Sequence, residues 1–160
     1  MKALIGILPW AIVLAAAGGA IWWLLSRDMA AGRWLLAALL IGHGLVHLMF
    51  AVPAPEATAG GPEWPFDMAR SWPVTGAGLD LDVVRAFGLA AITIVVGGFA
   101  VAALATVGIL VPAGWWQPAL LVSAVASAGV LFVFFQPQLA LGLGVDGALL
   151  AVLARGAWAP

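Results

Sequence analysis

Apolar residues run in long, almost uninterrupted blocks along this chain of 160 residues, and polar residues stand mainly between the blocks. The blocks are apolar on every helical face and lack the alternation of a half-buried strand. A helix needs about 20 such residues in series to cross the roughly 30 Å of hydrocarbon in a bilayer. Because an isolated span must satisfy its backbone hydrogen bonds internally, the pattern predicts an all-α, polytopic transmembrane helical bundle.

Five blocks approach the length of a span, so we predict a single transmembrane domain at residues 1–160. The predicted spans are residues 3–25, 34–52, 82–111, 118–135 and 139–154. The first resembles a secretory signal, but its length and its end at Arg27 favour a retained span. Residues 53–81 are rich in Pro, Gly and Trp, which indicates one compact interfacial loop.

The amino-acid composition also indicates that this chain is surrounded by lipid. Hydrophobic residues make up 65% of it and charged residues only 8%, with a mean hydropathy of +1.16. A soluble domain carries roughly 45–50% apolar and about 25% charged residues, and so short a chain has too little interior to hide the excess. A net charge of −1 without a basic tract argues against nucleic acid as a partner. The absence of cysteine excludes disulfides and thiolate metal sites.

The orientation signal is balanced, because positive charges divide equally between the two sides of a five-span bundle. One side carries Arg27, Arg33 and Arg155, and the other carries Lys2, Arg70 and Arg85. The acidic loop holds few positive charges, so we predict the loop and the N-terminus outside the cytoplasm and the C-terminus inside. The tryptophans expected to form an aromatic belt on the Arg27 side are Trp22, Trp23, Trp34, Trp115, Trp116 and Trp158.

Small residues within the spans predict flat helix faces that let neighbouring backbones approach closely. They are Gly97, Gly98, Ser123, Ser127, Gly142, Gly144 and Gly147. Such faces either pack within one bundle or join the chain to a second subunit. We therefore expect the lipid bilayer as the main partner, with other membrane protein subunits or a second copy of the chain as further ones.

Three ionisable residues lie inside the predicted spans, where each is a functional hypothesis by default. His43 and His47 stand one helical turn apart and share a helix face, while Asp146 lies near the middle of the last span. At 1.5 Å per residue, the histidines lie roughly 13 Å and 8 Å below Val52, and Asp146 roughly 11 Å below Leu139. All three therefore occupy the same layer of the bilayer, provided that the two helices touch.

Three interpretations of this constellation remain open. Asp146 accepts a hydrogen bond from one imidazole in a buried structural pair. Alternatively, the group is a proton-handling site in a carrier or an enzyme. In the third interpretation His43, His47 and Asp146 bind a divalent metal such as iron or zinc, although open coordination positions are hard to supply at that depth. No cofactor is otherwise predicted.

Further polar residues gather near the same membrane face as His47. They are Asp67, Arg70, Arg85, Gln136 and Gln138. Arg85 is placed to pair with Asp82, with Asp80 or with a lipid phosphate, and Asp67 to pair with Arg70 on a short interfacial helix. These residues are either snorkelling side chains with an amphipathic loop, or a vestibule under an aromatic lid that leads down to His47 and Asp146.

Several short motifs give the chain a resemblance to known proteins. They are Gly42-His43-Gly44-Leu45-Val46-His47, Trp64-Pro65-Phe66 with Arg70-Ser71-Trp72, Arg85-x-x-Gly88, Phe134-Phe135-x-Pro137 and Gly142-x-x-x-Asp146. In these motifs residues 34–154 resemble a group of small bacterial integral membrane proteins and, more distantly, the DoxX-like four-helix families. The resemblance implies a location in the bacterial inner membrane and supports the choice of candidate residues. It implies no reaction.

Conventional catalytic motifs are missing from the sequence. There is no phosphate-binding loop, no Gly-x-Ser-x-Gly elbow and no His-Glu-x-x-His zinc helix. The first functional hypothesis is therefore a non-enzymatic structural or accessory subunit whose His43, His47 and Asp146 fix helix packing. The alternative is a small carrier or redox-linked membrane protein that uses them for protons, a metal or a quinone-like ligand.

Overall fold

The computed structural model describes residues 2–55 and 64–156, without the side chains of residues 2–7 and 10. Within these residues the chain is helical and contains no strand. The α-helices are α1 (Lys2–Ser26), α2 (Ala30–Val46), α3 (Trp72–Thr75), α4 (Leu81–Val107), α5 (Trp116–Val133) and α6 (Ala140–Ala154). Short 3-10 segments lie at His47–Ala51, Met68–Arg70, Ala113–Trp115 and Pro137–Leu139.

Four helical stretches of the described chain are long and apolar enough to cross a membrane. They are Ala30–Ala51, Leu81–Val107, Ala113–Val133 and Pro137–Ala154. A further apolar stretch, Ala11–Ser26 in α1, is shorter than these. The prediction of an all-helical, multi-pass membrane protein is therefore confirmed at this level.

The helix boundaries depart from the predicted spans by one or two residues at several ends and by more at the ends of α2 and α4. Helix α2 ends at Val46, and a 3-10 segment continues the span to Ala51. The third span was expected to reach residue 111, but α4 ends at Val107 because Gly108 adopts a left-handed conformation with φ of 70°. Amide groups of Gly108 and Ile109 bond back to the carbonyls of Ala105 and Leu104, which closes the helix. In the second span the helix starts at Ala30 and not at residue 34, and Arg33 in its first turn pairs with Asp28 at 2.7 Å at the surface.

The first turn of α4 is fixed by Asp80. Its side-chain oxygen accepts the backbone N–H groups of Asp82 at 2.9 Å and of Val83 at 3.2 Å. An aspartate at this position satisfies amide groups that have no partner inside the helix. The predicted pairing of Arg85 with Asp82 is also present, at 4.0 Å between exposed side chains.

Helix α4 packs most extensively against α2 and α5, α6 packs against α5, and α1 packs against α2. Glycines bring these helices together: Gly44 of α2 faces Phe99 of α4, and Gly98 of α4 faces Ser123 of α5. A Cβ atom at position 98 would stand 2.8 Å from Cβ of Ser123, so no larger residue fits there without movement. Of the predicted small residues, Gly98, Ser123 and Gly142 therefore carry helix contacts, the last because a Cβ atom there would stand 2.7 Å from Cδ1 of Leu131. Gly97, Gly144 and Gly147, by contrast, face open space.

Four of the six tryptophans assigned to the aromatic belt are exposed. They are Trp22, Trp23, Trp34 and Trp115. The prediction is wrong for Trp116, which is only 3% exposed, because it begins α5 on a side that packs into the core. Trp158 lies outside the described residues, as do the loop residues Glu56 and Glu63.

Candidate functional site

The structure brings His43 and Asp146 into direct contact across the bundle. Nε2 of His43, in the last turn of α2, lies 2.8 Å from Oδ1 of Asp146 in α6. Their side chains are 9% and 1% exposed, respectively. The sequence prediction that these two residues share one layer of the membrane therefore corresponds to a buried hydrogen bond.

Ser127 of α5 connects this pair to His47. Its hydroxyl oxygen lies 2.7 Å from Oδ2 of Asp146 and 3.0 Å from Nε2 of His47, with Nε2 of His43 at 3.4 Å. Ser127 is fully buried. The sequence analysis treated it only as a small packing residue, because a serine in a span gives no sign of a cross-helix contact. We refer to His43, His47, Ser127 and Asp146 as the His–Ser–Asp network.

His47 is held at the point where α2 tightens into a 3-10 segment. Its backbone N–H turns to the carbonyls of Gly44 and Leu45. The carbonyl of His43 thereby loses its usual backbone donor in the helix. The His47 side chain replaces that donor, because Nδ1 lies 3.0 Å from the backbone carbonyl oxygen of His43. A carbonyl only accepts hydrogen bonds, so Nδ1 of His47 carries a hydrogen and donates it. This hydrogen bond fixes the orientation of the His47 ring at one end of the network.

Donor counting shows that two proton arrangements of zero net charge make every contact of the network. In one, Asp146 is ionised and accepts from Ser127, while the doubly protonated His47 donates to Ser127. In the other, a protonated Asp146 donates to Ser127, and Ser127 donates to Nε2 of a neutral His47. Nε2 of His43 donates to Oδ1 of Asp146 in both. The two arrangements differ by a proton shift through one hydroxyl group.

A third arrangement, with Asp146 ionised and His47 neutral, has one proton fewer and cannot make every contact. Ser127 owns a single hydroxyl hydrogen, which reaches either Oδ2 of Asp146 or Nε2 of His47. The other acceptor is then buried without a donor, which costs about 1–3 kcal/mol. Of these three arrangements, only the two zero-charge ones therefore satisfy the contacts of Ser127 with both Asp146 and His47.

The metal interpretation gains nothing from this geometry. Among the residues that the structure describes, no group of three His, Asp or Glu side chains is arranged to hold a metal ion. Nε2 of His43, Nε2 of His47 and Oδ2 of Asp146 instead surround the hydroxyl oxygen of Ser127, which occupies the position between them.

Two members of the network also line a cavity of about 530 Å³, which we call the histidine cavity. His43 and His47 form part of its wall together with Gln138, and most other lining residues are apolar. Within the described chain, Nδ1 of His43 makes no hydrogen bond, yet it is not among the buried unpaired atoms. Among the described residues, this nitrogen is therefore unpartnered without being completely enclosed.

Aromatic rings separate the histidine cavity from a second cavity of about 320 Å³, the vestibule. Phe50 and Phe66 line both spaces and meet edge to face with ring centroids 5.2 Å apart. Trp64 extends the row, 5.4 Å from Phe66. The aromatic lid anticipated from the sequence thus has a counterpart above the network.

The predicted vestibule residues divide between the two cavities. Asp67 and Arg85 line the vestibule, and Gln138 lines the histidine cavity. Asp67 also caps the Met68–Arg70 segment by accepting the N–H of Ala69 at 3.0 Å. Arg70 ends that segment with an exposed side chain, and Gln136 is half-buried just before the Pro137–Leu139 turn.

A third cavity, of about 460 Å³, continues along α1 and is called the arginine cavity because Arg155 stands in its wall. Leu14, Leu39 and Val145 line both this cavity and the histidine cavity. The two spaces therefore adjoin, and together they form a cleft between α1 and the pair α2 and α6.

Comparisons with known proteins give no relative for this fold or site. No protein-family model, curated protein or solved structure matches the chain. The resemblance to small bacterial membrane proteins and to DoxX-like families therefore stays a prediction.

Proposed function

We propose that this chain is a small multi-pass membrane protein that accepts and relays protons within the bilayer, as a carrier or a redox-linked component. The observation that carries the proposal is the position of Ser127, whose hydroxyl bridges Oδ2 of Asp146 and Nε2 of His47. A buried ion pair needs no such bridge. A hydroxyl between a carboxyl group and an imidazole transfers a proton by accepting one hydrogen and releasing another.

Access to the network supports the same proposal. His43 and His47 border the histidine cavity, and the vestibule beyond Phe50 and Phe66 carries the charged residues Asp67 and Arg85. One pair of aromatic rings, Phe50 and Phe66, lies between the charged vestibule and the cavity that borders the network, and both rings line both spaces. Intramembrane ionisable groups beside cavities are typical of proton relays.

The test is infrared difference spectroscopy on the purified protein in lipid vesicles, combined with nitrogen NMR of labelled histidines. We expect a carboxylic acid band that disappears in Asp146→Asn, and a change of this band that accompanies a change in the His47 signals when the pH is stepped. Ser127→Ala is expected to uncouple the two signals. The control Ser123→Ala should leave them coupled, because Ser123 bonds only to backbone carbonyls of its own helix.

A single protonation state of both Asp146 and His47 over the whole pH range in which the helices persist would refute the relay. Coupling that survives Ser127→Ala would refute the role of the hydroxyl. Either result leaves the second candidate, a structural or accessory subunit. The observation favouring that candidate is that the network ties α2, α5 and α6 together. Loss of Asp146→Asn from the membrane would support it.

We further propose that α1 is a fifth span, with the N-terminus outside the cytoplasm and the C-terminus inside, in a bacterial inner membrane. The 25 residues of Lys2–Ser26 extend about 38 Å as a helix, enough to cross the hydrocarbon. Because the chain lacks cysteine, single cysteines placed at Lys2 and at Asp28 report location without background labelling. A membrane-impermeant maleimide should reach them from opposite sides of the membrane. Labelling from the same side would refute the fifth span.

A further inference from the structure

We infer that the cleft formed by the histidine and arginine cavities binds a long-chain amphiphile with an uncharged, hydroxyl-bearing head, whose O–H donates to Nδ1 of His43. This inference rests on the proposed function, because it names the ligand class that the network serves. It starts from one atom. Nδ1 of His43 is a polar atom of a side chain that is 9% exposed, and it has no partner in the described chain.

The hydrogen-bond network determines which chemistry Nδ1 recognises. In both zero-charge arrangements Nε2 of His43 gives its hydrogen to Oδ1 of Asp146, which lies 2.8 Å away. A neutral imidazole with hydrogen on Nε2 presents Nδ1 as an acceptor. The matching ligand atom is therefore a donor, and a hydroxyl group supplies one without adding charge.

The lining of the histidine cavity argues against a charged head. Among the described residues of its wall, His43, His47 and Gln138 are the polar ones, and none is a Lys or Arg that would pair with an anion. A cationic head has no partner either, because Asp146 is fully buried behind His43 and both of its oxygens are engaged. An ion brought there from water would lose its hydration without compensation. Gln138 offers a second group that hydrogen-bonds to a neutral head.

The shape of the cleft argues for a long apolar tail. From Gly142, which lines the histidine cavity, helix α6 runs 13 residues to Arg155, a distance of roughly 20 Å. Leu14 and Leu39 line the passage between the two cavities. Volumes of about 530 Å³ and 460 Å³ lie in the range of small-molecule sites.

The test measures binding of three probes to the purified protein in nanodiscs: an alkyl-tailed hydroquinone, its dimethyl ether and a long-chain primary alcohol. We expect the hydroquinone to bind and to shift the Nδ1 signal of labelled His43. The ether lacks the donor and should bind at least about fivefold more weakly, as for loss of one hydrogen bond to a buried acceptor. If the alcohol binds as tightly as the hydroquinone, a hydroxyl group is sufficient for recognition and the ligand has an aliphatic head. If the alcohol binds weakly, the ring is required as well.

Two variants separate the cleft from nonspecific partitioning. Leu14→Trp fills the passage between the cavities and should abolish binding of tailed hydroquinone, whereas Ile12→Trp on the exposed side of α1 should not change it. Equal binding of hydroquinone and ether, or binding unaffected by Leu14→Trp, would overturn the inference. If proton exchange in the network persists while no probe binds, only the ligand assignment fails. If the network shows no proton exchange, the proposed function fails independently of the binding result.

Discussion

Replacement of Ser127 by alanine tests the network most directly. It removes a single oxygen atom, which lies on α5 and contacts side chains of both α2 and α6. The hydroxyl is fully buried and lies 2.7 Å from Oδ2 of Asp146 and 3.0 Å from Nε2 of His47. Its loss leaves an acid oxygen and an imidazole nitrogen in apolar surroundings without their shared partner. At about 1–3 kcal/mol for each buried group left unpaired, the expected loss of unfolding free energy is about 2–6 kcal/mol.

Ser123→Ala provides a matched control on the same helix. Ser123 is also fully buried, but its hydroxyl bonds only to the carbonyls of Ala119 and Leu120 in its own helix. Those carbonyls lie within the backbone bonding of α5, and alanine retains the Cβ atom that contacts Gly98. We therefore expect a loss of no more than about 1 kcal/mol.

The measurement is reversible unfolding in mixed micelles with increasing denaturing detergent, followed by helical circular dichroism for both variants and the parent. A difference between the two variants of at least about 1 kcal/mol, with Ser127→Ala the less stable, supports the reasoning. Equal stabilities would refute it, because they would mean that the cross-helix contacts of Ser127 contribute no more than a hydroxyl bonded within its own helix. A more stable Ser127→Ala would refute it more strongly.

Other predictions use the same unfolding assay. Gly98→Ala should cost about 1–3 kcal/mol because its Cβ would stand 2.8 Å from Cβ of Ser123, while the adjacent Gly97→Ala, facing open space, should be neutral or slightly stabilising. Equal effects of the two would contradict the packing. Asp80→Ala should cost about 1 kcal/mol by removing the acceptor for two amide groups at the start of α4, whereas Asp80→Asn should retain most of the stability. A loss in Asp80→Asn as large as in Asp80→Ala would show that charge and not capping is responsible.

The sequence predicts much of the helical architecture, because a long apolar run in a bilayer must satisfy its backbone hydrogen bonds internally, and a helix does so. It also places His43 and Asp146 at one depth, since helical rise converts residue counts into distance. Helix ends are less predictable. The apolar run continues to Val111, but α4 stops at Val107 because Gly108 takes a backbone conformation that hydropathy does not encode.

The part of the site that the sequence misses is the contact between helices. Ser123 and Ser127 are both buried serines of α5, yet only Ser127 reaches across to other helices. A serine in a helix always has a carbonyl of the preceding turn available, so its sequence context does not reveal which partner it takes. The cleft along α1 is likewise a product of how α1 sits against α2 and α6, which no local pattern determines.

At His47 a side-chain donor takes the place of a backbone donor, so a hydrogen bond of the imidazole ring depends on the local conformation of the helix. Nδ1 of His47 occupies the carbonyl of His43, while the backbone N–H of residue 47 has moved to Gly44 and Leu45. Without this ring, the carbonyl of His43 would have no hydrogen-bond donor in the hydrocarbon unless the 3-10 segment adopted the α-helical hydrogen-bond pattern. Phe50, which borders both the vestibule and the histidine cavity, lies in this same 3-10 segment. The hydrogen bond of the His47 ring therefore supports the backbone geometry that positions Phe50 between the two spaces.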